Sequence, residues 1–310
     1  MPIVAPDPAV PLAVRPETDE RQPRYGRHAL VAVAVGILLA IAWSFEFVDG
    51  VIGDNVANTL LGHDAKQTAI GGTVAGLAFA FVSGLAGTFT ACNIAVFGLA
   101  PQVARQSSTQ GRIRGQLSAL GWLTTGLMVV AVGYGALGVW FSDSLPQLST
   151  DTVGDVPVRL IQASVVFGVV GLAFVYLGLA ALGLAPDPFA RRPRTRLLVM
   201  GALIGAFLIG RPFPLFRKLF EYAVAENNAA YGAAVFALQA IGNILIMVVV
   251  VVLLSALSRG RLLRVLADDR RYAWVAGTAL VALGVFLVVY WDVRLPAMFG
   301  YGWFPTAPWN

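Results

Sequence analysis

The chain has 310 residues, 57% of them apolar and only 13% charged. Soluble domains average about 45–50% apolar and about 25% charged residues, so this composition excludes a purely water-soluble protein, and the single cysteine excludes a disulfide framework, a cysteine-based zinc site and an iron–sulfur cluster. A net charge of +5 raises nucleic acid as a partner, but the placement of the basic residues is better read as membrane topology. In chain order, residues 1–28 form a proline-rich tail with Asp7, Glu17, Asp19 and Glu20 that cannot bury a core and is expected to be a disordered cytoplasmic segment. A bilayer core takes about 20 apolar residues as a helix, and seven such runs follow, near 29–47, 69–100, 117–141, 159–184, 197–224, 232–257 and 273–291. No small-residue cleavage site follows Trp43-Ser44-Phe45-Glu46, so the first run reads as an uncleaved helix.

Cytoplasmic loops retain Lys and Arg. Arg15, Arg21, Arg24 and Arg27 precede the first run, and Arg105, Arg112 and Arg114 follow the second. Arg191, Arg192, Arg194 and Arg196 follow the fourth, and Arg259, Arg261, Arg264, Arg270 and Arg271 follow the sixth. The opposite side carries Lys66 and Arg294 together with Asp49, Asp54, Asp64, Asp143, Asp151 and Asp155. This asymmetry predicts a multi-pass protein of the cell (inner) membrane with its amino terminus cytoplasmic and its carboxyl terminus outside. Trp291, Tyr301, Trp303 and Trp309 would then form an interfacial belt.

Setting aside the first helix and its outer loop (29–68), six runs remain, in two groups of three. They occupy 69–184 and 197–291, joined by a cytoplasmic linker at 185–196 and followed by an outer tail at 292–310. Three spans per group force the second group to run opposite to the first, the inverted-repeat design of many transporters. The opening runs match in character. Phe81-Val82-Ser83-Gly84-Leu85-Ala86-Gly87-Thr88-Phe89-Thr90-Ala91-Cys92-Asn93 and Leu203-Ile204-Gly205-Ala206-Phe207-Leu208-Ile209-Gly210-Arg211-Pro212-Phe213-Pro214 both lead from glycines into a polar break. Paired discontinuous helices point to a functional centre at the bilayer midplane. The expected fold class is therefore all-α and integral to the membrane, with seven transmembrane helices: one extra N-terminal helix plus two inverted three-helix repeats whose first helices are broken.

These opening segments, with Gly201 to Pro214 and Tyr231-Gly232-Ala233-Ala234-Val235-Phe236-Ala237-Leu238, resemble the CcdA/DsbD group. That group is the cytochrome c biogenesis transmembrane region within the wider superfamily of LysE-type exporters. The resemblance implies the six-helix inverted-repeat fold, a role in cytochrome c biogenesis or thiol handling, and a thioredoxin-like or haem-assembly partner. Members carry a Pro-Cys pair in each opening helix. Here Cys92, the residue to which a catalytic redox role would fall, follows Ala91 rather than proline. Pro212 matches the second proline, with Phe213 or, in a shifted alignment, Arg211 at the cysteine position. A dithiol relay needs two sulfurs, so redox chemistry here requires a partner's thiol.

Arg211 lies about 20 Å into its run at ~1.5 Å per residue, where an arginine costs at least ~2.5–3.5 kcal/mol. It is either a fixed charge facing an interior site, with Glu221 or Glu46 as carboxylate partners, or the end of a helix from which Arg211, Arg217 and Lys218 snorkel. Candidate substrate-binding residues are Arg211, Pro212, Thr88, Thr90, Asn93, Gln239 and Asn243, the last two sharing a helix face. Each polar residue among them has an alternative role in interhelical hydrogen bonding, as do Thr124 and Thr125. Cys92 has an alternative role as a packed apolar residue. His63 and Asp64 lack a third ligand at metal spacing, and no cofactor, nucleotide or hydrolase motif is present. Three functions remain open: the thiol-linked role, transport of a small anion or sulfur compound, and a non-catalytic subunit of a membrane complex.

Overall fold

Backbone polar groups in lipid must be satisfied within the segment, which leaves helices as the solution for these apolar runs. A computed structural model describes residues 26–89, 112–257 and 268–309. It is about 75% helical with almost no strand. The helices are α1 (Gly26–Ala42), α2 (Asp54–Leu61), α3 (Thr73–Ala86), α4 (Arg112–Trp140), α5 (Val158–Ala181), α6 (Pro193–Ala206), α7 (Pro214–Ala225), α8 (Ala229–Leu257), α9 (Asp269–Val288) and the short α10 (Leu295–Met298). Among the described residues, four helical stretches are long and apolar enough to cross a membrane: Ser118–Trp140, Val158–Ala181, Ala229–Val250 and Arg270–Met298. A fifth results if the bent pair Gly26–Ala42 and Glu46–Leu61 counts as one span.

Local chemistry sets the boundaries. Pro193 and Pro214 occupy first helical positions, where the missing N–H costs nothing. Asn228 Oδ1 accepts from the backbone N–H groups of Ala230 and Tyr231 at 3.0 and 3.1 Å, opening α8, and Asp268 accepts from Arg271 at 2.9 Å to open α9. α3 packs on α8, α4 on both α6 and α8, α5 on α9, and α1 on the outer face of α9. Close approach is made by small residues: Gly84 meets Gly242, Gly126 meets the backbone of Leu198 and Ala202, and Gly171 meets Gly284. Tyr134, Phe216, Phe220 and Phe236 join α4, α7 and α8 through ring contacts of 5.4–6.2 Å. Leu30, Leu38, Val129, Val165, Val169 and Leu172 point outward, as a lipid-facing surface requires.

Four sequence expectations change. The tail does not extend to residue 28, since α1 begins at Gly26. The stretch expected as an outer loop up to residue 68 instead holds a π-helical segment, Glu46–Gly53, running into α2 at 67° to α1. Ser44 supports the corner by accepting from the Phe47 N–H at 3.3 Å. Trp291 is buried, stacked on Phe167 at 4.6 Å, so it is not part of an interfacial belt; Tyr301, Trp303 and Trp309 are exposed.

Arg294, placed by its charge in the outer tail, is also buried. Its Nη1 donates to the carbonyls of Ala40 and Trp43 at 2.6 Å each, while Trp309 Nε1 donates to Ala42 at 3.0 Å and Ala307 N to Ile41 at 3.3 Å. A helix end leaves four carbonyls without intrahelical partners, and the carboxyl-terminal tail satisfies four in a row at the end of α1. Arg294→Leu is expected to destabilise the protein by about 2–3 kcal/mol, since it orphans two carbonyls in a buried setting. Thermal unfolding in detergent reads this, with Trp309→Phe, which loses one exposed bond, falling by less than about 1 kcal/mol.

Candidate functional site

The second opening segment breaks where the sequence predicts, and the end of α3, in the first, comes against it. α6 ends at Ala206, and Phe207, Leu208 and Ile209 tighten into three-residue turns on Ile204, Gly205 and Ala206. Pro212 and Pro214 bar any continuous helix through the segment, which runs extended to Phe213 before α7 begins. Breaking a helix leaves carbonyls to be satisfied. Gln162 Nε2 donates to Ile209 O at 2.7 Å, and Gln147, buried in the loop after α4, donates to Arg211 O at 2.8 Å. In the first group α3 ends at Ala86 and tightens to a 3-10 turn over Gly87–Phe89.

Arg211 is fully buried at the contact between these breaks. Its Nη1 donates to Asn243 Oδ1 at 2.9 Å and its Nη2 to Gly87 O at 2.9 Å, with the guanidinium 5.7 Å from the centre of the Phe213 ring. The snorkelling alternative is therefore overturned for Arg211. Its neighbours do point outward: Arg217 pairs with Glu221 at 2.7 Å, and Lys218 donates to the carbonyls of Ala65, Lys66 and Thr68 at 2.6–3.0 Å. Neither expected carboxylate partner serves Arg211, because Glu221 is taken by Arg217 and Glu46 is exposed.

Asp49 is the carboxylate that the fold brings near. Expected in the outer acidic loop, it is instead buried on the π-helical segment, within electrostatic reach of Arg211. A Cβ on Gly53 would touch both Ala86 O and the Phe213 ring at 3.4 Å, so this segment lies directly over both breaks. π-Helical turns concentrate at functional sites. The run Phe47-Val48-Asp49-Gly50-Val51-Ile52 signals a buried carboxylate only through the apolar residues that surround it.

Among the other predicted residues, Thr88 is buried, and its Oγ1 lies 3.3 Å from Asn243 O and 3.4 Å from Gly84 O, so it ties α3 to α8. Pro212 shapes the break. Gln239 lies one turn before Asn243 on α8 and is fully buried, yet neither its Oε1 nor its Nε2 has a hydrogen-bond partner among the described residues. Thr124 is half-buried and Thr125 exposed, and Thr125 bonds back to Gly121 O within its own helix. Cys92, Thr90 and Asn93 lie outside the described residues. The assembled geometry is a guanidinium, an amide without partners among the described residues and a nearby carboxylate, enclosed where the end of α3 meets the break between α6 and α7. The chain matches no family model, no curated protein and no solved structure.

Proposed function

We propose that the protein is a seven-span inner-membrane transporter of a small anion, built from one extra helix and two inverted three-helix repeats, with its site around Arg211. Reciprocal packing supports the repeat reading. The opening helix of each group rests on the second helix of the other (α3 on α8, α6 on α4), while second pairs with second (α4, α8) and third with third (α5, α9). A pseudo-two-fold axis produces this pattern, because a contact between one residue and the mate of another implies the exchanged contact. The anion class follows from the site. An arginine at mid-membrane depth is costly and marks a substrate pathway, and helix breaks in matched positions supply the polar backbone around it.

The single observation carrying the transport reading is Gln239. A buried amide without partners costs about 1–3 kcal/mol per group, and a small oxyanion bridging the Gln239 amide and the Arg211 guanidinium satisfies it. Reconstituted protein is expected to give saturable charge movement on a solid-supported membrane when challenged with at least one of sulfate, sulfite, thiosulfate, nitrate or acetate. Gln239→Met, similar in shape, is expected to keep or raise thermal stability while weakening that response about tenfold or more. Silence toward the whole panel, or an undiminished response in Gln239→Met, defeats the reading. Orientation has its own check: a phosphatase reporter is expected to be active when fused after residue 310 and inactive when fused before residue 1.

The thiol-linked reading is kept as a second one because Gly87, five positions before Cys92, is bonded to Arg211, which brings the segment entering Cys92 to the second break. It requires Cys92→Ser to abolish function and a partner's thiol to be trapped on Cys92 as a mixed disulfide.

A further inference from the structure

The π-helical segment Glu46–Gly53 turns apolar side chains outward and a carboxylate inward. Phe47 and Val51 are exposed, while Asp49 keeps only 8% of its surface accessible. Gly53, four positions on and also buried, carries this inner face onto Ala86 O at the end of α3 and onto the Phe213 ring at the break between α6 and α7. Asp49 Oδ1 is enclosed and has no hydrogen-bond partner among the described residues. The charged groups that act on Asp49 are Arg211 at the break, Asp54 at the start of α2 and Lys66 in the loop after it. Asp54 and Lys66 form an ion pair with each other, which leaves Arg211 as the charge that Asp49 answers. Glu46, on the same segment, is exposed.

An ionised carboxylate without hydrogen bonds is costly to bury, and in membrane interiors such residues serve as proton relays. Charge balance gives Asp49 that task. With no anion bound, the Asp49 carboxylate offsets the Arg211 guanidinium. An anion held by Arg211 and Gln239 takes up that positive charge and stands beside Asp49 as a like charge, in an enclosed setting where charges interact several-fold more strongly than in water. A proton on the Asp49 carboxylate removes the repulsion. The close packing around Asp49 excludes an anion but not a proton, which needs no cavity of its own.

We propose that Asp49 takes up one proton with each anion that binds at Arg211, so that the protein is a proton–anion symporter. The proton comes from the aqueous phase to which the site is open, forms the O–H bond of the Asp49 carboxylic acid, and leaves with the anion to the opposite phase; no other bond changes. This inference rests on the transport reading and adds the coupling ion to it. The full chain is reconstituted in vesicles enclosing the pH dye pyranine and challenged with sulfate, sulfite, thiosulfate, nitrate and acetate, with protein-free vesicles as the baseline. Each anion that moves charge is expected to acidify the lumen. Its half-saturating concentration should rise with pH by up to about tenfold per unit, because a linked proton and anion strengthen each other's binding equally. Asp49→Asn, which imitates the protonated carboxyl, is expected to keep anion movement, lose the acidification, hold one half-saturating concentration across the pH range and move one more elementary charge per anion. A purely structural role for Asp49 does not produce that combination. Should the variant fail to fold, the acidification and the pH dependence of the unaltered protein decide. Charge movement without acidification, or acidification that survives in Asp49→Asn, overturns the proposal and leaves the transport reading standing; silence toward the whole panel removes both.

Discussion

Arg211→Ala is expected to remove anion-driven charge movement altogether, by at least about 100-fold, while the protein still inserts and folds. The two halves of this expectation rest on different balances. For function, the variant deletes the one basic group among the described side chains assembled at the site, and a charge-assisted hydrogen bond contributes about 1.5–3 kcal/mol, or roughly ten- to 100-fold for each bond the anion loses. For stability the terms oppose one another. On the proposed transmembrane placement, removing this arginine relieves at least ~2.5–3.5 kcal/mol of burial cost. Against this, Asn243 Oδ1 and Gly87 O lose their donor, at about 1–3 kcal/mol each. These nearly cancel, so a monodisperse, cooperatively unfolding variant without flux is the expected result. Arg211→Lys keeps the charge but cannot serve Asn243, Gly87 and an anion with the same fork, and should retain a few per cent of the response. Full flux in Arg211→Ala would reject the role given to this residue, and a variant that only aggregates would leave Arg211→Lys as the deciding comparison.

The parts of this site that were legible in the sequence are those with a local signature. Arg211 stands out because a charge inside an apolar run has few tolerable explanations, and Pro212 and Pro214 mark the break because neither permits a helix to continue. Asn243 and Gln239 are read from helical spacing alone, and Asn243 does bond Arg211. What escaped is what depends on distant chain. Asp49, with Glu46 before it and Asp54 after it, looks like part of a solvated acidic loop; only the fold of Glu46–Gly53 over the breaks buries it. Gln147 belongs to an ordinary polar loop until the broken helix exposes the Arg211 carbonyl to it. Arg294 reads as a topology charge because nothing near it announces the four carbonyls at the far end of α1. For Gln147 and Arg294 the partner is a backbone group left over where a helix stops, and such groups have no signature in residue type.

The same reasoning makes Gly87→Ala a disruptive small change at this site. A Cβ at this position would fall on the Arg211 guanidinium, and the glycine's own carbonyl is one of that guanidinium's acceptors. Neither side can yield cheaply. Arg211 is bonded to Asn243, and its backbone is pinned by Gln147 and bracketed by Pro212 and Pro214. Gly87 is flanked by Ala86, under the π-helical segment, and by Thr88, which reaches Asn243 O. Overpacking a well-filled interior costs about 1–3 kcal/mol, and displacing the guanidinium forfeits one charge-assisted bond of about 1.5–3 kcal/mol, so a total loss of about 2.5–6 kcal/mol is expected. Gly133→Ala on α4, where an added Cβ meets nothing within 4 Å, is the matched control and should be neutral or slightly stabilising, as alanine is the better helix former. Combining Gly87→Ala with Arg211→Ala tests the cause: the truncated side chain leaves room for the methyl, so the double variant is expected to be more stable than Gly87→Ala alone. If the two losses simply add, the contact between Gly87 and Arg211 is not what holds the two breaks together.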